Sequence, residues 1–209
     1  MSAKKILSDI IELDAKIAQL RDAFDACEEA EQIRAVEEVL GRELQAIGAE
    51  DPVTIPAVRA TDMLVPLGEG GAKALAPGLA HANPDVRRLV GEALLGVAED
   101  GLAAIRPAVD FALRAGAPAA EEMPFLLAMV EDGDTPKAIA EFLKCTDVDA
   151  VAAAIEALAD VGDPASVPAL KALVGDQRKV KVEGEDEELQ EWTLGDLAAE
   201  AIEMIEEEE

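Results

Sequence analysis

Leu64-Val65-Pro66-Leu67-Gly68-Glu69-Gly70-Gly71-Ala72-Lys73-Ala74-Leu75-Ala76-Pro77-Gly78-Leu79 is echoed 30 residues later by Leu94-Leu95-Gly96-Val97-Ala98-Glu99-Asp100-Gly101-Leu102-Ala103-Ala104-Ile105-Arg106-Pro107-Ala108-Val109. Leu64 and Leu94, Glu69 and Glu99, Gly71 and Gly101, and Pro77 and Pro107 are identical at that offset, and apolar sites between them are matched by apolar residues. Self-similarity at such a period marks a stacked helical hairpin, a unit that cannot bury its apolar stripe alone. The echo decides the fold class, all-α, and leaves function to whatever the units do not share.

The chain has 209 residues, half of them hydrophobic, which suffices for a sizeable core in one domain or one array. With four Phe, one Trp and no Tyr, that core must be built from Ala, Leu, Val and Ile. Small side chains at helix contacts let neighbouring helices approach closely. The net charge of −27 repels phosphate backbones and anionic lipid, so neither nucleic acid nor membrane is an expected partner. Cys27 and Cys145 lie far apart with no CxxC, which argues against a disulfide framework. Asp9, Glu12 and Asp14 interrupt the opening segment, so it does not read as a signal peptide, and no apolar run approaches a membrane span. A cytoplasmic protein is expected.

Residues 3–48 differ from the rest. Ile6, Ile10, Leu13, Ile17, Leu20, Phe24 and Cys27 alternate spacings of four and three, a heptad seam. Ile33, Val36, Leu40, Leu44 and Ile47 form a second stripe out of phase with it, so a turn is expected near residues 28–32. A parallel dimer through this seam would set Asp9 against Asp14 of the second copy and Lys16 against Arg21, both like-charged. Leu7 and Ile11 also widen the apolar face. The favoured reading is therefore a helical hairpin or cap over residues 1–50, packed on the array, in a monomer rather than a homodimer.

From residue 52 the chain reads as helix pairs: 53–66 with 70–82, 84–97 with 101–115, 118–131 with 135–144, and 148–160 with 164–174. A last helix is expected over about 191–206. Asp51-Pro52, Asn83-Pro84, Thr135-Pro136 and Asp163-Pro164 each set a capping residue before a proline at the first helical position. Pro77 and Pro107 share one repeat site, which calls for a late start or a kink in each second helix. Strands are not expected; the one exception is the short alternating run Lys179-Val180-Lys181-Val182, inside a non-helical insert at 175–190. That insert also carries the acidic run Glu183-Gly184-Glu185-Asp186-Glu187-Glu188. Glu206 to Glu209 are expected to fray.

Val161-Gly162-Asp163-Pro164-Ala165-Ser166-Val167-Pro168-Ala169-Leu170 resembles the turn and second-helix start of a HEAT-like repeat, of the short bacterial type also found in phycobilisome lyases. Asp85-Val86-Arg87 followed by Ala93-Leu94 resembles the first helix of the same unit; Asp149, Ala157 and Leu158 repeat that frame, with Val151 standing where Arg87 does. The resemblance covers residues 52–205 and is degenerate around 118–144. It implies an α-solenoid of stacked antiparallel helix pairs over residues 51–209, with the second helices on the concave side. Such arrays mostly bind proteins or peptides.

Catalytic constellations are not visible. His81 is the sole histidine, has no ligand neighbour in sequence, and reads as a cation near a helix C-terminus. The paired His-Glu motifs of HEAT-like deoxyhypusine hydroxylases are absent, and the acidic charge opposes a HEAT-like DNA glycosylase. Gly68, Gly70 and Gly71 read as a helix-pair turn, not a phosphate loop. No cofactor, metal or catalytic residue is expected.

Cations are scarce, yet the second helices hold Lys73, Arg106, Arg114, Lys137, Lys144 and Lys171, and the insert adds Arg178, Lys179 and Lys181. On a concave face these would form a basic stripe suited to a partner's acidic segment; the plainer reading is dipole complementation and pairing with nearby Glu. Trp192 is expected at the start of the last helix, as a plug of the core or, if exposed, an interface anchor. The expected function is a non-enzymatic scaffold or regulatory adaptor that binds a partner protein. The alternatives are an accessory subunit of a lyase-like or other modifying enzyme, and a structural protein that self-assembles through its N-terminal helix.

Overall fold

The structure is a computed structural model that describes residues 3–183 and 189–207. The chain is predominantly helical, with one two-stranded sheet among the described residues. In order, α1 spans Ala3–Asp25, α2 Glu29–Ala46, α3 Ile55–Leu64, α4 Gly68–Leu75, α5 Pro84–Ala98, α6 Leu102–Ala115, α7 Ala119–Ala128, α8 Thr135–Ala140, α9 Val148–Val161, α10 Val167–Lys171 and α11 Leu194–Glu207. Short 3-10 turns extend α3 and α4, follow α8 and precede α10. From α3 to α10 each helix overlaps the segment expected from sequence; α4 starts two residues early, and α5 and α9 each run one residue past. Besides its chain neighbour, each of several helices packs on the next but one: α3 on α5, α4 on α6, α7 on α9 and α9 on α11. No helix among the described residues is long and apolar enough to cross a membrane.

One continuous core runs from Val36 in α2 to Ile205 in α11. It is aliphatic, as the composition requires, with Phe142 its largest fully buried side chain. Close approach explains the glycines in the opening motif. Gly68 takes a φ of +52°, the region that favours glycine, where α4 begins. A Cβ on Gly71 would lie 1.9 Å from the Leu64 carbonyl oxygen, so α4 and the end of α3 touch backbone to backbone there.

The start signals hold in part. The Asn83 side chain accepts from the Asp85 N–H at 2.9 Å and the Asp163 side chain from the Ala165 N–H at 2.8 Å, as expected of caps. Asp51 instead accepts from the Gly48 N–H, and α3 is capped three residues later by Thr54, which accepts from Ala57. The Thr135 hydroxyl turns inward and donates to the Val130 carbonyl at 3.0 Å, so it closes a turn and does not cap. Pro107 lies within α6, whereas Pro77 marks the point where α4 gives way to a 3-10 turn over Ala76–Ala80.

Two expectations are corrected. The 175–190 insert is not a loop: Lys179–Glu183 (β1) and Leu189–Thr193 (β2) form an antiparallel hairpin, with Val180 opposite Trp192. Trp192 therefore stands in a strand, half-buried against the core, and the last helix starts after it. Burial of Val180 at the core stabilises a ribbon whose alternation is only five residues long. Residues 184–188 of the acidic run, and Glu208 and Glu209 of the tail, lie outside the described residues; Glu206 and Glu207 are helical.

The second correction concerns α1. It does not fold back onto the array. Among the described side chains of α1, Phe24 alone packs against the core, and Gln32 Nε2 fixes the turn by donating to the Phe24 and Cys27 carbonyls at 2.8 and 3.3 Å. α2 does act as a cap: Val36 and Leu40 are buried, and it packs on α3 and α4.

The glycine contacts give a direct test. Gly71→Ala is expected to lower stability by more than about 2 kcal/mol because backbone, not a flexible side chain, must move. Gly41→Ala, in the interior of α2 with nothing within 4 Å of its added methyl, is expected to raise stability by about 0.5–1 kcal/mol. Urea denaturation midpoints of the two variants measure both signs.

Candidate functional site

The basic residues singled out in the sequence are mostly committed to carboxylates. Arg106, on the exposed side of α6, donates to Asp110 at 2.8 Å and to both oxygens of Glu141 at 2.6 and 2.8 Å. The pair holds the Arg106 pKa up and the Glu141 pKa down. Lys171 reaches Glu206 at 3.3 Å, and Lys137 reaches Asp134 at 2.6 Å. Arg178 grips Asp176 at 2.7 Å, pulling that carboxyl below its usual range, and also donates to the Cys145 carbonyl. Lys179 pairs across the hairpin with Glu191. Lys73, Arg114, Lys144 and Lys181 are exposed and form no ion pair among the described residues.

These contacts show a regularity that sequence reasoning missed. Arg87 with Glu122, Arg106 with Glu141, and Lys171 with Glu206 are each 35 residues apart. Each links an element to a later one, α5 to α7, α6 to the end of α8, and α10 to α11. A search for cation and carboxylate separated by slightly more than one repeat would have found them. His81 belongs to the same class of tie: its Nδ1 accepts from the Asn83 N–H at 3.0 Å, so Nε2 carries the proton and donates to the Leu44 carbonyl at 3.1 Å. It is a hydrogen-bonded bridge to the end of α2.

Both nitrogens of that ring are engaged by backbone, so neither serves a nucleophile. The Cys145 thiol is pushed up by burial and then by Asp147, the reverse of an activated thiolate. Glu121 of α7 meets Asp147 and Asp149 at the start of α9, with carboxylate oxygens all within 4.8 Å. Burial, then the two aspartates, raise the Glu121 pKa. Three oxygen donors are of the kind a hard cation accepts, and close carboxylates are also what so acidic a composition produces.

The structure does bring together an apolar groove that the sequence analysis did not name. It lies between α9 and α11 and encloses about 270 Å³. Ile155, Leu197 and Met204 line it together with Glu156, Asp160 and Glu200; Ile155 is buried, while Met204 and the three carboxylates are exposed. The lining recurs at helical spacing on both helices, at 152, 155, 156 and 159 and at 197, 200, 201 and 204. Burial and then Asp160 raise the Glu156 pKa. A second groove beside Leu95 and Met129 carries Glu99 and Glu131, and a third carries Asp132, Asp160 and Asp163; no Lys or Arg lines any of the three. Trp192 lies in none of them. No family model matches this chain, and no curated protein matches it.

Two measurements probe these arrangements. A double-mutant cycle on Arg106 and Glu141 is expected to give a coupling near 1 kcal/mol at low salt, shrinking as salt rises, because both side chains are partly exposed. Glu121→Gln is expected to raise the unfolding midpoint at pH 7 by about 1–3 °C. A carboxyl whose folded pKa is raised costs stability while ionised, and that cost disappears as pH falls through the folded value. The advantage of the variant should therefore vanish near pH 4, below the usual glutamate value of about 4.3.

Proposed function

We propose that the chain is a non-enzymatic adaptor, an α-solenoid of HEAT-like helix pairs, that binds a partner protein in the groove between α9 and α11. The observation that carries this reading is the groove itself: lined by apolar side chains with exposed carboxylates among them, and formed by two helices presenting the same spacing. Such a groove accepts the apolar face of an amphipathic helix, with anchors at i, i+3, i+4 and i+7. The carboxylates select lysine or arginine on that helix. A basic partner segment thus fits better than the acidic one expected from a basic stripe, since much of that stripe is neutralised by Glu and Asp of the same chain. The hydrogen-bonded His81 and the raised Cys145 thiol support the non-enzymatic reading. A cytoplasmic setting accords with two unpaired cysteines.

The probe is a synthetic helical peptide with leucine on one face and lysine on the other, titrated into the full chain by calorimetry. Met204→Asp places a charge among the apolar residues that line the groove and makes the protein more acidic. It is expected to weaken peptide binding about tenfold, or about 1.4 kcal/mol. Attraction to net charge alone predicts equal or tighter binding by the variant, and that result would overturn the proposal.

A further inference from the structure

We infer that α1 is a homodimerisation helix that pairs antiparallel with α1 of a second copy of this chain. Along α1, Leu7, Ile11, Leu13 and Leu20 are each 58–61% exposed, and Ile6 and Ile17 42% and 38%. Exposed large apolar residues elsewhere are spread over several elements. Nothing local compensates: α1 has no acidic residue in its first turn and no basic residue in its last. A helix without tertiary packing draws little stability from its own hydrogen bonds. Its seam at Ile6, Leu13, Ile17, Leu20 and Phe24 is coiled-coil spaced, which is the pattern a second helix fills. The expectation of a monomer weighed only a parallel pair against α1 folding back, and α1 does not fold back.

Charge selects both the occupant and its direction. Residues 3–25 carry four cations and five anions, a net of −1, which leaves −26 for the rest of the chain. α1 is thus the segment where two copies of so acidic a protein can meet. A parallel pair would face Asp9 with Asp14 and Lys16 with Arg21, and would set both arrays at the same end. In an antiparallel pair each flank faces itself reversed: Asp14 lies between Asp14 and Arg21 of the second copy on one side, and Lys16 meets Lys16 on the other, so fewer like charges meet than in the parallel pair. The turn holding Lys5 lies beside the turn holding Asp22 and Asp25, and the helix dipoles oppose. A helix of 23 residues is about 35 Å long. Antiparallel pairing therefore holds the two arrays several Debye lengths apart, where their repulsion is screened. In the register that sets Leu13 against Ile17, Ala3 comes beside the turn that holds Cys27 of the second copy, two residues past the end of α1. The α9–α11 groove stays outside the contact, so a dimer presents two of them.

Sedimentation equilibrium of the full chain tests the association. The wild type is expected to be dimeric at tens of micromolar. Leu13→Asp, and independently Leu20→Asp, should weaken dimerisation more than about tenfold while the thermal unfolding of the array is unchanged. Oxidative cross-linking in a Cys145→Ser background reads the direction. Ala3→Cys should yield a covalent dimer whose peptide map joins position 3 to Cys27, and the parent with Cys27 alone should yield none. A monomeric wild type, a dimer that survives both substitutions, or a Cys27–Cys27 link would each overturn the inference.

Discussion

Close approach of helices is the constraint on which the rest of this structure depends. A chain nearly without aromatic residues cannot fill wide spaces between its helices, so its core is dense only where backbones come near one another. Ala57, Ala72, Ala108, Ala112, Ala119, Ala150, Ala154 and Ala157 are wholly buried for that reason. Gly71 against the Leu64 carbonyl is the extreme case, and Gly78 against Val90 and Gly91 against Leu126 are milder ones, with side chains as the opposing groups. Leucine, valine and isoleucine then interdigitate between surfaces that alanine and glycine have drawn together. The thirty-residue echo does not carry one spacing requirement throughout: Gly71 is a close backbone approach, whereas Gly101 at the same repeat position takes a φ of +99° ahead of α6.

Charge is arranged around that core, and this explains why a basic groove does not emerge. With 18 cations against 45 carboxylates, a cation is more stable near an anion of its own chain than held in a patch. The structure uses several of them as ties between elements: Arg87 to Glu122, Arg106 to Glu141 and Lys171 to Glu206. Exposed pairs of this kind contribute little each, yet they fix how successive elements sit. Seven other carboxylates, among them Glu99, Glu131, Glu156 and Glu200, line the three grooves. The same excess makes acidic clusters uninformative about metal binding.

Much of this was legible in the sequence, and the failures have separate physical causes. Periodicity and Pro-containing start signals placed α3 to α10, because those helices owe their bounds to local chemistry. Thr135 and Asp51 misled because a capping side chain can satisfy a different backbone group, and which one it chooses depends on the turn before it. The β-hairpin was foreshadowed by Lys179 to Val182, but its partner strand carries Trp192 in a run that also suits a helix start; only the packing of Val180 and Trp192 on the core separates the two. The groove between α9 and α11 was invisible because its walls lie some forty residues apart, and neither wall alone differs from an ordinary amphipathic helix.

The heptad of α1 shows the limit of pattern most clearly. A seam states that something apolar must cover it, and both an internal array and an external helix satisfy that statement equally. What separates them is the phase change at residues 28–32: α2 directs its own stripe, through Val36 and Leu40, onto α3 and α4. α2 takes the place beside α3 and α4, and Phe24 is the last described side chain of α1 to reach the core. The described large apolar side chains from Ile6 to Leu20 stand exposed beyond it. The near-neutral charge of α1 sets it apart from an otherwise strongly acidic protein.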